Sequence, residues 1–181
     1  MRVAPAAPED LPALRRAATG SQARIRTWGP GGLTSIDALG AAPQPDDDHV
    51  TFLVHALEPT GEHAIAARIN LTTIVRGRLA GAMLGYDAFD PYAGRGLTRE
   101  GLALALDVCF APEPDGLGLH RIAADVQPAN VRSAGLLRSL GFVHEGHARR
   151  LVNIPTLGDP SDDWRDHDRY ALHAEDWPGA A

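Results

Sequence analysis

Two places in the chain set chemically useful residue types at useful spacings. The first is Leu84 to Thr98, Leu-Gly-Tyr-Asp-Ala-Phe-Asp-Pro-Tyr-Ala-Gly-Arg-Gly-Leu-Thr. It begins as a strand, breaks at Asp90-Pro91, turns through Gly94 and Gly96, and runs into a Leu/Ala-rich stretch that reads as a helix. A glycine-flanked turn opening a helix suits an anion, because the first helical amides have no partner within the helix and the dipole places partial positive charge there. Glycine lets a ligand approach the backbone, and Arg95 adds a permanent positive charge. The chemistry implied is retention of a pyrophosphate; a tight structural turn is the competing reading. The second place is Asp125 with Asn130 and Ser133. Asn130 stands where a helix starts, with Ser133 three residues on and Leu137 seven, so the three share a helix face. Asp125 alternates with Ala124 and Val126 and points away from the face those two cover. This reading makes Asp125, Asn130 and Ser133 converge near the end of one strand; the alternative is that Asn130 and Ser133 only cap the helix.

The elements that must position these groups follow from pattern. Residues 1 to 8 predict a short strand, and Glu9-Asp10-Leu11-Pro12 opens a helix with Leu11, Leu14, Ala17 and Ala18 on one face, ending at Gly20. Residues 20 to 49 yield little: a loop at Gly29-Pro30-Gly31-Gly32, a helical turn at Ser35 to Leu39, and a polar loop from Pro43 to Asp48. The run Asp46-Asp47-Asp48 reads as solvated rather than as a cation site. Val50 to Leu57, His63 to Val75 and Leu79 to Phe89 predict an antiparallel meander, with a turn at Glu58-Pro59-Thr60-Gly61. Leu97 to Phe110 is a well-buried helix and Leu119 to Val126 a strand. A second buried helix follows Pro128-Ala129-Asn130 and closes at Gly141, and Phe142 to Leu151 and Arg165 to Ala174 form a final strand pair. Strand–helix–strand–helix after a meander implies one α/β domain with a mixed sheet over residues 1 to 181.

Composition narrows the classes. A chain of 181 residues, 44% hydrophobic and 22% charged, can bury the core of one globular domain. A net charge of -6 argues against a general nucleic-acid binder. A single cysteine excludes an intramolecular disulfide and a cysteine metal cluster. No apolar run has bilayer length and no signal peptide is seen, so a cytoplasmic location without membrane association is expected. Cys109, among Leu106, Val108 and Phe110, reads as a buried hydrophobe rather than an acyl-carrying nucleophile. His144 and His147 lie three apart on a strand, which predicts opposite faces and no metal pair. His167 either lines an acceptor pocket or is structural, and Trp28, Trp164 and Trp177 read as packing residues. The Gly94-Arg95-Gly96 turn lacks the Gly-Lys-Ser/Thr of a triphosphatase loop and the third glycine of a dinucleotide fingerprint.

Taken in order, Leu84-Gly85-Tyr86, Tyr92-Ala93-Gly94-Arg95-Gly96-Leu97, Leu119-His120-Arg121-Ile122, Pro128-Ala129-Asn130 with Ser133, Leu140-Gly141-Phe142 with Glu145-Gly146, and Asp166-His167 ahead of Glu175-Asp176-Trp177 resemble the GNAT superfamily of acetyl-CoA-dependent N-acetyltransferases. Within it the chain is most similar to the branch that acetylates ribosomal-protein N-termini at alanine or serine, over roughly residues 50 to 177. The resemblance implies a mixed, mostly antiparallel twisted sheet flanked by helices. It implies acetyl-CoA as co-substrate, no metal, an amine acceptor, and a monomer or homodimer. The family's pyrophosphate loop, Gln/Arg-x-x-Gly-x-Gly/Ala, falls on Ala93 to Thr98: Gly96 matches, while Ala93 and Thr98 depart. Gly94, Arg95, Gly96, Leu97 and Thr98 are thereby implied to hold the pyrophosphate, chiefly through backbone amides. Asp87, Ala88 and Phe89 are implied to pair with the pantetheine arm, and Asn130 to hydrogen-bond it. Leu137 occupies the position where many members carry a tyrosine that protonates the departing thiolate, and Ser133 stands where this branch uses a serine instead. Asp125 occupies the place of a glutamate base and, being shorter, would act through a water. No acid is in register on the following strand, and the direction of Glu145 is open.

The base required depends on the acceptor. An α-amine with a pKa near ~7.7–8.0 is roughly a tenth neutral at pH 7, whereas a lysine near ~10.4 is neutral to less than about a thousandth. A weak base therefore favours the α-amine of a protein N-terminus. A small amine such as a drug or polyamine is the enzyme alternative, and a CoA-binding sensor that no longer catalyses is the alternative from another class.

Overall fold

A computed structural model describes residues 1–28, 48–57, 63–154 and 163–180. Seven strands form one sheet: β1 (Arg2–Pro5), β2 (Val50–Leu57), β3 (His63–Val75), β4 (Gly81–Ala88), β5 (Arg121–Val126), β6 (Val143–Asn153) and β7 (Trp164–His173), in the order β1-β2-β3-β4-β5-β7-β6. The β4–β5 pair is parallel and the other neighbours are antiparallel. Among the described residues the α-helices are α1 (Leu11–Gly20), α2 (Gln22–Trp28), α3 (Leu97–Phe110) and α4 (Val131–Ser139).

Chain connectivity assigns the faces. Both β4–α3–β5 and β5–α4–β6 step in the same direction between parallel strands, and right-handed crossovers then lay α3 and α4 on one face. The larger core confirms it, joining Leu102 and Leu106 of α3 and Leu137 of α4 to Val54, Ile69, Leu84, Ile122, Ala124 and Val126. A smaller cluster on the opposite face joins Leu14 and Ala18 of α1 to Leu53, Ile65 and Phe89. Strand β2 is thus covered on both sides, which is why it reads as a nearly unbroken apolar run. At Gly101 of α3 an added Cβ would come within 2.3 Å of Val54 Cγ2, so the glycine lets the helix lie directly on β2.

Most expected elements are present with ends shifted by a few residues; β4 and β5 are shorter than expected, at Gly81–Ala88 and Arg121–Val126. Helix α2 has no counterpart among the expected elements. The expected loop at Gly29–Gly32, the turn at Ser35–Leu39, most of the acidic loop and the turn at Glu58–Gly61 lie outside the described residues. The expectation that His144 and His147 face opposite sides fails. A register irregularity between His144 and Gly146 resets the alternation of β6, so both rings meet Asp168 on β7, at 3.7 Å and 2.9 Å. His147 also reaches Asp166 at 3.1 Å, and these carboxylates raise its pKa above the usual histidine value. Among the described residues no group of three or more His, Cys, Asp or Glu is arranged to hold a metal ion.

Candidate active site

The site begins with a break in the sheet. The β4–β5 ladder runs from Gly81↔Arg121 to Met83↔Ala123 and stops, while β4 continues to Ala88 and β5 to Val126. On their other edges both strands stay paired: β4 with β3 as far as Ala67↔Ala88, and β5 with β7 as far as Val126↔Asp168. Two neighbouring strands held from outside but parted from each other leave a slot lined by backbone hydrogen-bonding groups.

Alternation decides which groups those are. The amide of Phe89 donates to the carbonyl of Ala66 on β3, at 2.9 Å. Backbone groups alternate sides in an antiparallel ladder, so Asp87 and Gly85 also turn toward β3, and Leu84, Tyr86 and Ala88 turn toward β5. The Ala80 carbonyl, which accepts from Arg121 at 3.1 Å, fits the same parity. Of the three residues expected at the open edge, Ala88 is there. The Asp87 and Phe89 amides turn to the β3 side; the Phe89 carbonyl accepts from Tyr92 and Ala93 in the following turn, and its ring is fully buried. The Asp87 carboxylate binds buried Arg68 on β3, with Arg68 Nε donating at 2.9 Å. Tyr86 takes a place at the edge that the motif alone does not assign to it.

At the mouth of the slot the chain turns into α3. Gly96, at φ +87°, is the N-cap residue, and no side chain caps the helix. The amide of Glu100 reaches the Gly96 carbonyl at 3.1 Å, leaving Leu97, Thr98 and Arg99 as the amides without a helical acceptor. Gly94, Arg95 and Gly96 are exposed, whereas the Thr98 side chain is buried. The Arg95 guanidinium lies 6.0 Å from the Tyr92 ring centroid, which keeps its charge beside the turn. Glu100 sits in the same first helical turn and would repel an anion there. The arrangement fits a pyrophosphate at the turn and an extended, amide-bearing arm along the slot.

The polar groups flank the slot from its two faces. On the α3/α4 face Asn130 caps α4, its Oδ1 accepting from the Ser133 amide at 3.2 Å; the capping alternative accounts for that oxygen and leaves the side-chain N–H₂ to donate. Ser133 Oγ lies 2.7 Å from the Tyr86 hydroxyl. Burial pushes the Tyr86 phenol up to about 12, against a smaller opposing contribution from this hydrogen bond. Leu137, one turn on, is fully buried in the core. On the opposite face Asp125 pairs with Arg169, whose Nε donates to Oδ1 at 3.1 Å. Asp125 and Ser133 therefore do not meet; the open slot lies between them. Glu145 is paired with Arg121 at the far end of β5, which lowers its pKa and removes it from the slot. His167 is buried, with Nδ1 3.0 Å from the Arg165 carbonyl. Burial pushes the Cys109 thiol up to about 12, as expected of a packing residue, and Trp177 packs with its Nε1 donating to Asp107 at 2.8 Å.

Helix α2 crosses this second face. At its start Ser21 Oγ accepts from the Asp90 amide and Arg24 donates to the Asp90 carboxylate, both at 2.8 Å, beyond the end of β4. At its end the Trp28 carbonyl accepts from Gln127, just past β5, at 2.8 Å. Seven residues thus span the two parted strands. No local pattern announces this helix, because short helices depend on such tertiary anchors.

The acetyltransferase (GNAT) domain family matches residues 1–143, and the chain belongs to that family. It is 35% identical over 119 residues to the [Ribosomal protein uS5]-alanine N-acetyltransferase of Escherichia coli (strain K12); the match covers 65% of this chain and 56% of the relative, so the chain spans just over half that protein's length. Mycobacterium smegmatis RimJ in complex with CoA-disulfide superposes with a TM-score of 0.75 and 25% identity, covering 98% of this chain and 84% of that one. Spermidine N-acetyltransferase from Vibrio cholerae in complex with CoA and spermine shares the fold, with a TM-score of 0.74 and 18% identity over 97% of this chain and 96% of that chain.

Proposed function

We propose that this protein moves an acetyl group from acetyl-CoA to a primary amine by direct attack, and that the amine is the α-amine of a protein N-terminus. The observation that carries the reading is the one-sided parting of β4 from β5, which leaves the Tyr86 and Ala88 backbone facing a slot that ends at the α3 N-terminus. The amides of Leu97 and Thr98 with the Gly94-Arg95-Gly96 turn bind the pyrophosphate, and the Asn130 N–H₂ supports the pantetheine arm. Acetyl-CoA supplies an activated thioester. Asp125, paired with Arg169 through Oδ1 alone among the described residues, takes the amine proton through a water on the α2 face, and Ser133 gives its proton to sulfur on the α4 face. Opposite faces suit a transfer in which the amine arrives from one side while sulfur leaves on the other. Positioning both substrates in one slot supplies much of the acceleration.

The α-amine is favoured over a polyamine for two reasons. The E. coli relative is named for an N-terminal alanine acceptor. In addition, among the described residues two carboxylates near the acceptor face are paired, Asp87 with Arg68 and Asp125 with Arg169, which weakens their hold on a multiply charged cation. A cytoplasmic location accords with a ribosomal-type acceptor.

The test has two stages. Acetyl-CoA at about a hundred times its dissociation constant adds roughly 2.7 kcal/mol of stability in thermal unfolding. Peptides with free or blocked N-termini are then assayed beside spermidine. Transfer to free N-termini alone is the expected result; transfer to lysine of blocked peptides, or to spermidine alone, refutes the acceptor, and no stabilisation at millimolar acetyl-CoA refutes the site.

A further inference from the structure

We propose that Tyr86 is a positioning residue for Ser133: its hydroxyl donates to Ser133 Oγ and thereby turns the serine's own proton into the slot. This rests on the reading of Ser133 as the proton donor to sulfur.

Two acceptors of Ser133 lie within reach of the phenolic proton. The Tyr86 oxygen is 2.7 Å from Ser133 Oγ and 3.3 Å from the Ser133 carbonyl. The carbonyl contact is the longer and weaker of the two, and the phenolic proton is assigned to the short one. A serine hydroxyl has one proton and can rotate. If it donated to Tyr86, the proton would be directed into the protein, away from any thioester. With the phenol as donor, Oγ is an acceptor on that side and its hydrogen must lie elsewhere. Tyr86 can hold this role throughout the working pH range because burial keeps it protonated. It is also rigidly mounted: its ring packs against the main core, and β4 is fixed along β3. Asn130 completes the mounting from the other side by capping the Ser133 amide. Tyr86 and Asn130 thus fix the serine's hydroxyl and backbone respectively, where Leu137 offers no hydroxyl of its own. In the step itself the amine nitrogen bonds to the acyl carbon and gives up one proton through a water to Asp125, the carbon–sulfur bond breaks, and sulfur takes the Ser133 proton. Ser133 is reprotonated from solvent while Tyr86 keeps its proton.

The experiment compares kcat and the KM for acetyl-CoA in the full chain and in Y86F, S133A and the double variant, with thermal unfolding as a control on folding. S133A is expected to lower kcat by about a hundredfold or more, in the range of general acid catalysis. Y86F is expected to lower kcat by about tenfold with KM for acetyl-CoA unchanged, and the double variant to be no slower than S133A, because a residue acting through Ser133 has nothing left to position. Losses that multiply in the double variant, or an unimpaired Y86F beside a crippled S133A, overturn the proposal while leaving the parent reading intact. An unimpaired S133A overturns the parent reading, and this one with it.

Discussion

The alternation of backbone groups along β4 can be tested with two prolines. Ala88 turns its amide toward the slot and Gly85 turns its amide toward Asn70 on β3. Proline removes an N–H without needing a new side-chain contact. In Ala88→Pro the lost amide belongs to the open edge, the ring's Cδ enters the slot, and Asp87 is already extended as a residue before proline must be. Folding should barely change, with the melting temperature within ~2 °C of wild type. Binding should weaken by one hydrogen bond, about 0.5–1.5 kcal/mol, or roughly 2- to 12-fold in the dissociation constant for acetyl-CoA. In Gly85→Pro the lost amide belongs to the β3 ladder, and a sheet carbonyl is left without a donor. That costs about 1–3 kcal/mol, or ~2–12 °C for a chain of this size. Calorimetric titration with acetyl-CoA and thermal unfolding read both quantities. If Ala88→Pro unfolds as early as Gly85→Pro and binds acetyl-CoA normally, the edge assignment is reversed, and Asp87 and Phe89 face the slot in place of Tyr86 and Ala88.

Two further outcomes follow from packing and from charge. Gly101→Ala should destabilise the protein by up to about 2 kcal/mol, since overpacking against Val54 costs ~1–3 kcal/mol and the helix-propensity gain is under ~1 kcal/mol; a double-mutant cycle with Val54→Ala should show favourable coupling, and simple additivity would contradict the contact. The Asp168 and Asp166 carboxylates raise the His147 pKa, so its stabilising contribution is complete below the unfolded value near ~6.5 and fades as pH rises through the raised folded value. Hydrogen exchange at the Arg150 amide, which donates to Asp166, should therefore be better protected at pH 6 than at pH 8.5 after correction for intrinsic rates, and this difference should vanish in His147→Gln.

The features legible in the sequence were local ones. The glycine turn into a helix, the apolar rhythm of Leu97 to Phe110, the Asn130 cap and the alternation that sends Asp125 away from Ala124 and Val126 each depend on residues within a few positions of one another, and each is present in the structure. The family motifs at Tyr92 to Leu97 and Asn130 to Ser133 belong to the same class of signal, since a short run of chain carries them whole. The tertiary structure decided everything that needed a second strand. Whether Asp87 or Ala88 meets the slot depends on which edge of β4 is paired with β3, a fact no residue of β4 encodes. Arg68, Arg121 and Arg169 neutralise Asp87, Glu145 and Asp125 across strands that are 19, 24 and 44 residues apart in the chain. His144 and His147 share a face because β6 bulges against β7, and α2 exists because its two ends are tied to Asp90 and Gln127. Tyr86 was visible as a motif residue, but its partner Ser133 lies 47 residues further on, reached only when the crossover folds α4 back over β4.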